Sequence, residues 1–252
     1  MSGAVATSRL RGATGASTGA TTGAFVAATG GDRGFASDAH TEELLVTQRA
    51  FRAVMDAMAR PGLVRFVPPM FQATLTNPWM EALVQMLVDS TCGFCVAAAD
   101  APALATAIAT RSYAAPVAFD RALFAIVSID ADAELRARML RELSGGADDA
   151  PELGATVIIE CAALSEAGDG DGDGAHVFSV TGPGVERQHR FAASENWWHV
   201  ARESRSDEFP CGIDVLLVDG AGRVVALPRT ARVTEQTKDI AFLSPSSETE
   251  RD

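Results

Sequence analysis

The chain has 252 residues, 47% hydrophobic and 21% charged, which is enough for one sizeable buried core. A formal net charge of −12 and a pI near 4.8 repel phosphate backbones at long range and argue against nucleic acid as a partner. No apolar run is long enough for a bilayer and no secretory leader is visible, so a soluble, cytoplasmic protein is expected, with Cys92, Cys95, Cys161 and Cys211 as free thiols.

Residues 1–36 are rich in Ala, Gly, Ser and Thr and show no periodicity; they read as a disordered low-complexity extension. They are basic with no acid before Asp32, a trait shared with organelle transit peptides. From Thr47 to Arg60 the spacing predicts a helix with Phe51, Val54, Met55 and Met58 on its apolar stripe, stopped by Pro61-Gly62. LVRFV, residues 63–67, reads as a strand. Asn77-Pro78 reads as an N-cap and first helical position, opening a helix with Trp79, Leu83, Met86 and Leu87 on one side. A strand at CGFCVAAA, a helix from Asp100 to Thr110, a strand at 123–129 and a helix from Ala133 to Leu143 follow. Residues 155–164 and 176–182 read as strands joined by a glycine-aspartate loop, Ser194–Ser204 as a helix, and 212–230 as a hairpin. Helices interleave with strands early and hairpins come late. The expectation is an α/β fold, a single domain over 37–238 with a mixed β-sheet flanked by helices, then an acidic flexible tail, 239–252.

Familiar motifs fail on physical grounds. The Cys92-x-x-Cys95 pair enters a strand, where positions i and i+3 point to opposite faces, so a redox dithiol is not expected. Neither do the four cysteines have the spacing of a zinc site. Asp169, Asp171 and Asp173 imitate a calcium loop, but its twelfth position is Val180 and no helices flank it. GASTG at 15–19 has no strand before it, so it is not a nucleophile elbow. His40, His176, His189 and His199 show no ligand spacing. No catalytic residue, metal or cofactor is therefore expected. The Gly182-Pro183-Gly184 turn either holds an anion on its backbone amides or is simply a sharp strand exit.

In FPCGIDVLLVDGAGRVVALPRT, residues 209–230, an acid sits in one apolar arm and a Pro-Arg pair closes the other. If Val218 pairs with Val224, or Arg223 pairs near Val218, Asp214 lies opposite Pro228 or diagonal to Arg229. The two charges then form either a structural ion pair that pins the register or an arginine presented to an anionic ligand or a partner subunit.

This block, with QRAFRAVMDAMARPG (48–62) and VTGPGVE (180–186), resembles PhnH, the H subunit of the carbon–phosphorus lyase system, over most of 47–234. The resemblance implies a fold like the large domain of pyridoxal-phosphate-dependent transferases without the cofactor. The chain's single lysine, Lys238, follows the last predicted strand, which is no place for a core Schiff base. It also implies an accessory subunit beside the G, I and J subunits, able to form a homodimer when isolated. That complex supports transfer of a phosphonate onto the ribose C1′ of ATP with release of adenine, and no catalytic residue carries over to this chain. The alternative is a free-standing small-molecule-binding protein or enzyme on a transferase-like fold. Asp214, Arg229, Gly182 and Gly184 are the candidate binding residues in either case.

Overall fold

A computed structural model describes residues 33–70, 73–167 and 175–236, the first eight of these as backbone only. In chain order the elements are α1 (Arg33–Ala59), β1 (Arg65–Phe66), α2 (Pro78–Leu87), β2 (Gly93–Ala97), α3 (Ala101–Ser112), β3 (Ala115–Pro116) and β4 (Phe124–Val127). Next come α4 (Ala133–Glu142), β5 (Gly145–Ala147), β6 (Ala150–Gly154), β7 (Thr156–Cys161), β8 (Leu164–Glu166), β9 (His176–Thr181) and β10 (His189–Ala193). The chain then adds α5 (Trp197–Glu203), β11 (Asp214–Asp219), β12 (Arg223–Leu227) and β13 (Arg232–Gln236).

The helices start where short polar side chains satisfy their first amides. Asn77 accepts from Trp79 and Met80, Asp100 from Ala103, and Asp132 from Glu134 and Leu135. Seven strands form a mixed sheet in the order β1-β12-β11-β7-β4-β2-β3. From β11 to β3 the neighbours run parallel, while β12 returns antiparallel to β11, with Val218 opposite Val224 and Val215 opposite Leu227. A four-stranded antiparallel sheet, β13-β9-β10-β8, packs as a separate layer, and β5 pairs with β6 in a two-stranded ribbon.

The central strands are buried on both faces, so their sequences are nearly continuous apolar runs. Alternation along each strand still sorts the two sides. Val157, Ile159, Val215, Leu217, Val225 and Leu227 face α4, α5 and the small sheet, where Phe178, Phe191 and Trp198 stack at centroid distances of 4.8 to 6.3 Å. Ile158, Leu216, Val218, Val224 and Ala226 face α1, α2 and α3. The result is three layers: helices, the large sheet, then the small sheet with the two later helices.

Several expectations need correction. The first helix begins at Arg33, well ahead of Thr47, and its Glu42–Leu45 segment is favoured by good helix formers more than by burial. Its buried side is Ala50, Val54 and Ala57, while Phe51 and Met55 are 51% and 54% exposed. Small alanines let the helix approach its neighbours closely; of the expected stripe, Val54 is buried and Met58 packs against the core, while Phe51 and Met55 face outward. Only Arg65 and Phe66 of LVRFV pair in the sheet. Residues 155–164 form two strands, β7 and β8, which belong to different sheets. The ribbon β5–β6 and the strands β10 and β13 went unread in the sequence. The glycine-aspartate loop at 169–174, GASTG and Lys238 lie outside the described residues.

Asp219 ends β11 with no exposed surface and accepts four hydrogen bonds, from the amides of Leu164, Ala221 and Arg223 and from Arg223 Nε. It therefore fixes the hairpin loop and the start of β8 together. Asp219→Ala strands three amides, and we expect a loss of about 3 kcal/mol in urea unfolding. Asp219→Asn, which keeps an acceptor oxygen, should lose less. An unchanged midpoint in the alanine variant would show that the loop does not need this carboxylate.

Candidate functional site

The hairpin β11–β12 carries an aspartate–arginine pair at each end. At the loop end Arg223 Nε donates to Asp219 Oδ2 at 2.7 Å. At the open end the Arg229 amide and Nε donate to Asp214 Oδ1 at 2.7 and 3.2 Å, and Nη2 donates to Oδ2 at 2.7 Å. Both open-end side chains are largely buried, 15% and 14% exposed. The remaining Arg229 donors reach across to β6, Nη1 to the Pro151 carbonyl and Nη2 to the Gly154 carbonyl. The Asp214 hydrogen bonds hold the guanidinium above its ordinary pKa against the opposing effect of burial. A side chain at Gly154 would collide with this guanidinium and with the Gly212 carbonyl, so the close approach of three segments requires glycine there. Asp214 and Arg229 thus meet across the hairpin, and the Arg229 amide, Nε, Nη1 and Nη2 all donate within the fold.

Gly182 and Gly184 lie elsewhere, in the turn leaving β9. Their φ values are +128° and +82°, a region that favours glycine. A Cβ on Gly184 would run into the Ala59 carbonyl. The neighbouring His189 Nδ1 lies 2.7 Å from the Pro61 carbonyl, and the Gly62 amide donates to Ala226. The turn therefore seats the end of α1 between the two sheets.

Among the described residues, two of the cavities lie at opposite ends of the large sheet. One, about 240 Å³, opens at the carboxyl ends of β2, β4 and β7, where ligands of α/β sheets commonly bind. Its Glu160 already accepts from Asn77, Ser128 and the Ile129 amide. Beside it the buried Glu81 accepts from Thr74, Leu75 and Gln85 and faces Arg111 Nη1 at 3.4 Å. The other cavity, about 420 Å³, lies at the opposite end of β11 and is lined by Arg202, Arg205, Arg229 and Arg232. Sequence reading found only Arg229 there. Arg202 comes from α5 and Arg232 from β13, and only the packing of those elements brings them together.

His199 is buried against Phe178 and Trp198 with Nδ1 unpartnered, and burial lowers its pKa, so it stays neutral near pH 7. Among the described residues, no group of three or more His, Cys, Asp or Glu is placed to hold a metal ion. No described helix is long and apolar enough to cross a membrane.

Comparison with known proteins adds two findings. The family described as "Bacterial phosphonate metabolism protein (PhnH)" matches residues 35–234. HtxG of Stutzerimonas stutzeri, named there as a C-P lyase subunit protein, is 29% identical over 189 residues, covering 74% of this chain and 85% of its own length.

The four cysteines are free. Cys95 is 4% and Cys161 1% exposed, and burial pushes the Cys95 thiol up to about 12 and the Cys161 thiol up as well. Cys92 and Cys211 are half-buried; desolvation and the Asp148 carboxylate raise the Cys211 thiol. A thiol reagent at pH 8 should label Cys92 first and Cys211 more slowly, and should reach Cys95 and Cys161 only in denaturant. Rapid native labelling of all four, or a labelling count that rises on adding reductant, would contradict this arrangement.

Proposed function

Because this chain belongs to the PhnH family of bacterial phosphonate metabolism proteins, we propose that it is an accessory subunit of the carbon–phosphorus lyase core complex. It works in the cytoplasm beside homologues of the G, I and J subunits. There it supports transfer of a phosphonate onto the ribose C1′ of ATP with release of adenine, and it holds the assembly together without acting on the substrate. The observation that carries this reading is the extent of the family match, 35–234, which coincides with nearly all of the described fold.

Two features support an accessory role. Both aspartate–arginine pairs of the central hairpin are committed to backbone and to each other, which suits struts better than reacting groups. The outer side of α1 also leaves Leu44, Phe51 and Met55 more than half exposed, an apolar strip of the kind a partner subunit covers. When no partner is supplied, the same strip favours pairing of two copies into a homodimer.

The seven-stranded mixed sheet is compatible with a large domain of the pyridoxal-phosphate transferase kind. The residues present do not fit that cofactor. No lysine occurs among the described residues, and Lys238 follows β13.

Co-expression of the tagged full chain with its G, I and J homologues should yield one co-purifying assembly. Phe51→Glu combined with Met55→Glu should reduce recovery of the partners about tenfold or more and shift the isolated chain from dimer to monomer while leaving its circular dichroism unchanged, since both side chains lie on the outer face of α1. Purification as a strict monomer that ignores these partners would overturn the proposal.

A further inference from the structure

The cavity of about 240 Å³ at the carboxyl ends of β2, β4 and β7 is a consequence of the chain path. Strand β2 runs into α3, which packs with α1 and α2 on one face of the large sheet through Leu104 and Ile108. Its parallel neighbour β4 runs into α4, which packs on the opposite face through Met139 and Leu140. The two connections part where the strands end and leave a gap between them. A divergence of this kind is where open α/β sheets bind their ligands.

The lining decides what can enter. It carries three carboxylates, Asp100, Asp130 and Glu160, and no arginine, lysine or histidine. Glu160 spends both oxygens on Asn77, Ser128 and the Ile129 amide. Asp130 Oδ1 accepts from the Ala99 amide at 3.2 Å, which ties the two diverging segments together, and Asp100 Oδ1 accepts from the Ala103 amide at 3.0 Å. The second oxygen of each aspartate has no partner among the described residues. Neutral donors therefore hold the carboxylates in place, and no lining cation answers their charge. An anion is repelled from such a site. The acids are not placed as a metal's ligands either. An ammonium group needs one carboxylate at contact and can give its other N–H groups to neutral oxygens, such as the Thr76 and Ser128 hydroxyls. The rest of the lining is largely apolar, with Leu75, Met80, Leu104 and Ala107. The volume lies below the range of about 300 to 1,000 Å³ that houses a drug-sized ligand, so a short chain fits and a nucleotide does not.

We infer that the cavity where β2 and β4 diverge is a binding site for an alkylammonium group, its head at Asp100 and Asp130 and its stem along Leu75, Met80 and Leu104. Charge and stem are both required. Carboxylates open to water attract a bare ammonium ion only weakly, and a stem without charge leaves them unanswered. A free short amine and a lysine side chain carry the same chemistry. The inference does not rest on the assembly reading, because the site is complete within one chain.

Calorimetric titration of the full chain with butylamine, butanol and ammonium chloride, at pH 7 and at ionic strength matched with sodium chloride, separates charge from stem. Butylamine, protonated at this pH, should bind about tenfold or more tightly than either of the others. A lysine blocked as acetyl and methylamide presents the same ammonium and stem on a peptide unit. Binding as tight as that of butylamine assigns the site to a lysine side chain, and clearly weaker binding assigns it to a free amine; both outcomes uphold the ammonium site. Asp100→Asn and Asp130→Asn each keep an acceptor oxygen for the amide now held, and asparagine caps a helix as well as aspartate does, so the fold should persist with an unchanged melting temperature. Each should weaken butylamine binding about threefold, and the two together about tenfold. Butylamine binding no tighter than that of butanol, or indifferent to the paired substitution, would overturn the inference.

Discussion

The central hairpin is buried on both faces, and that constraint governs where charge can sit. Within β11 and β12 every residue from Val215 to Val218 and from Val224 to Leu227 is at most 1% exposed. A charge inside that stretch would lie far from water with nothing to answer it. The sequence places acids only at the two ends of β11, Asp214 and Asp219, and an arginine next to each, Arg229 and Arg223. The pairs bracket the hairpin and reach beyond it. Asp219 also holds the first amide of β8, and Arg229 holds two carbonyls of β6. One hairpin thereby registers the large sheet, the small sheet and the ribbon against one another.

Much of this was legible because it depends on local chemistry. The turn Asp219-Gly220-Ala221-Gly222 between two apolar runs fixes the hairpin, and counting outward from Val218 opposite Val224 brings Asp214 opposite Pro228 and next to Arg229. Asn77 and Asp100 announce their helices for the same local reason. Other features depend on tertiary choices. Periodicity showed that α1 is amphipathic but not which side is covered; Ala50 and Ala57 allow close packing, and that selects the side away from Phe51 and Met55. Strand β13 has a single buried apolar residue, Val233, and is a strand because β9 pairs with it. Arg202 and Arg232 are unremarkable in sequence, and their shared cavity exists only once α5 packs near β13.

The same architecture relates fold to function. The residues that look most chemical in the sequence serve the backbone, and what is left at the surface is an apolar strip on α1 and the exposed Arg232 beside β11. In this member of the PhnH family of bacterial phosphonate metabolism proteins, the two brackets tie the core strands to the elements around them.

The claim on which this account turns is that Asp214 and Arg229 act as a structural unit. Equilibrium unfolding of Asp214→Ala, Arg229→Ala and the double variant measures it directly. Each single change leaves a largely buried partner unpaired and should cost on the order of 3 kcal/mol. The double variant should lose clearly less than the two losses combined, with a coupling above about 1 kcal/mol. Additive losses, or an Arg229→Ala protein as stable as the parent, would contradict the account and return Arg229 to the role of a group held ready for a ligand or a partner.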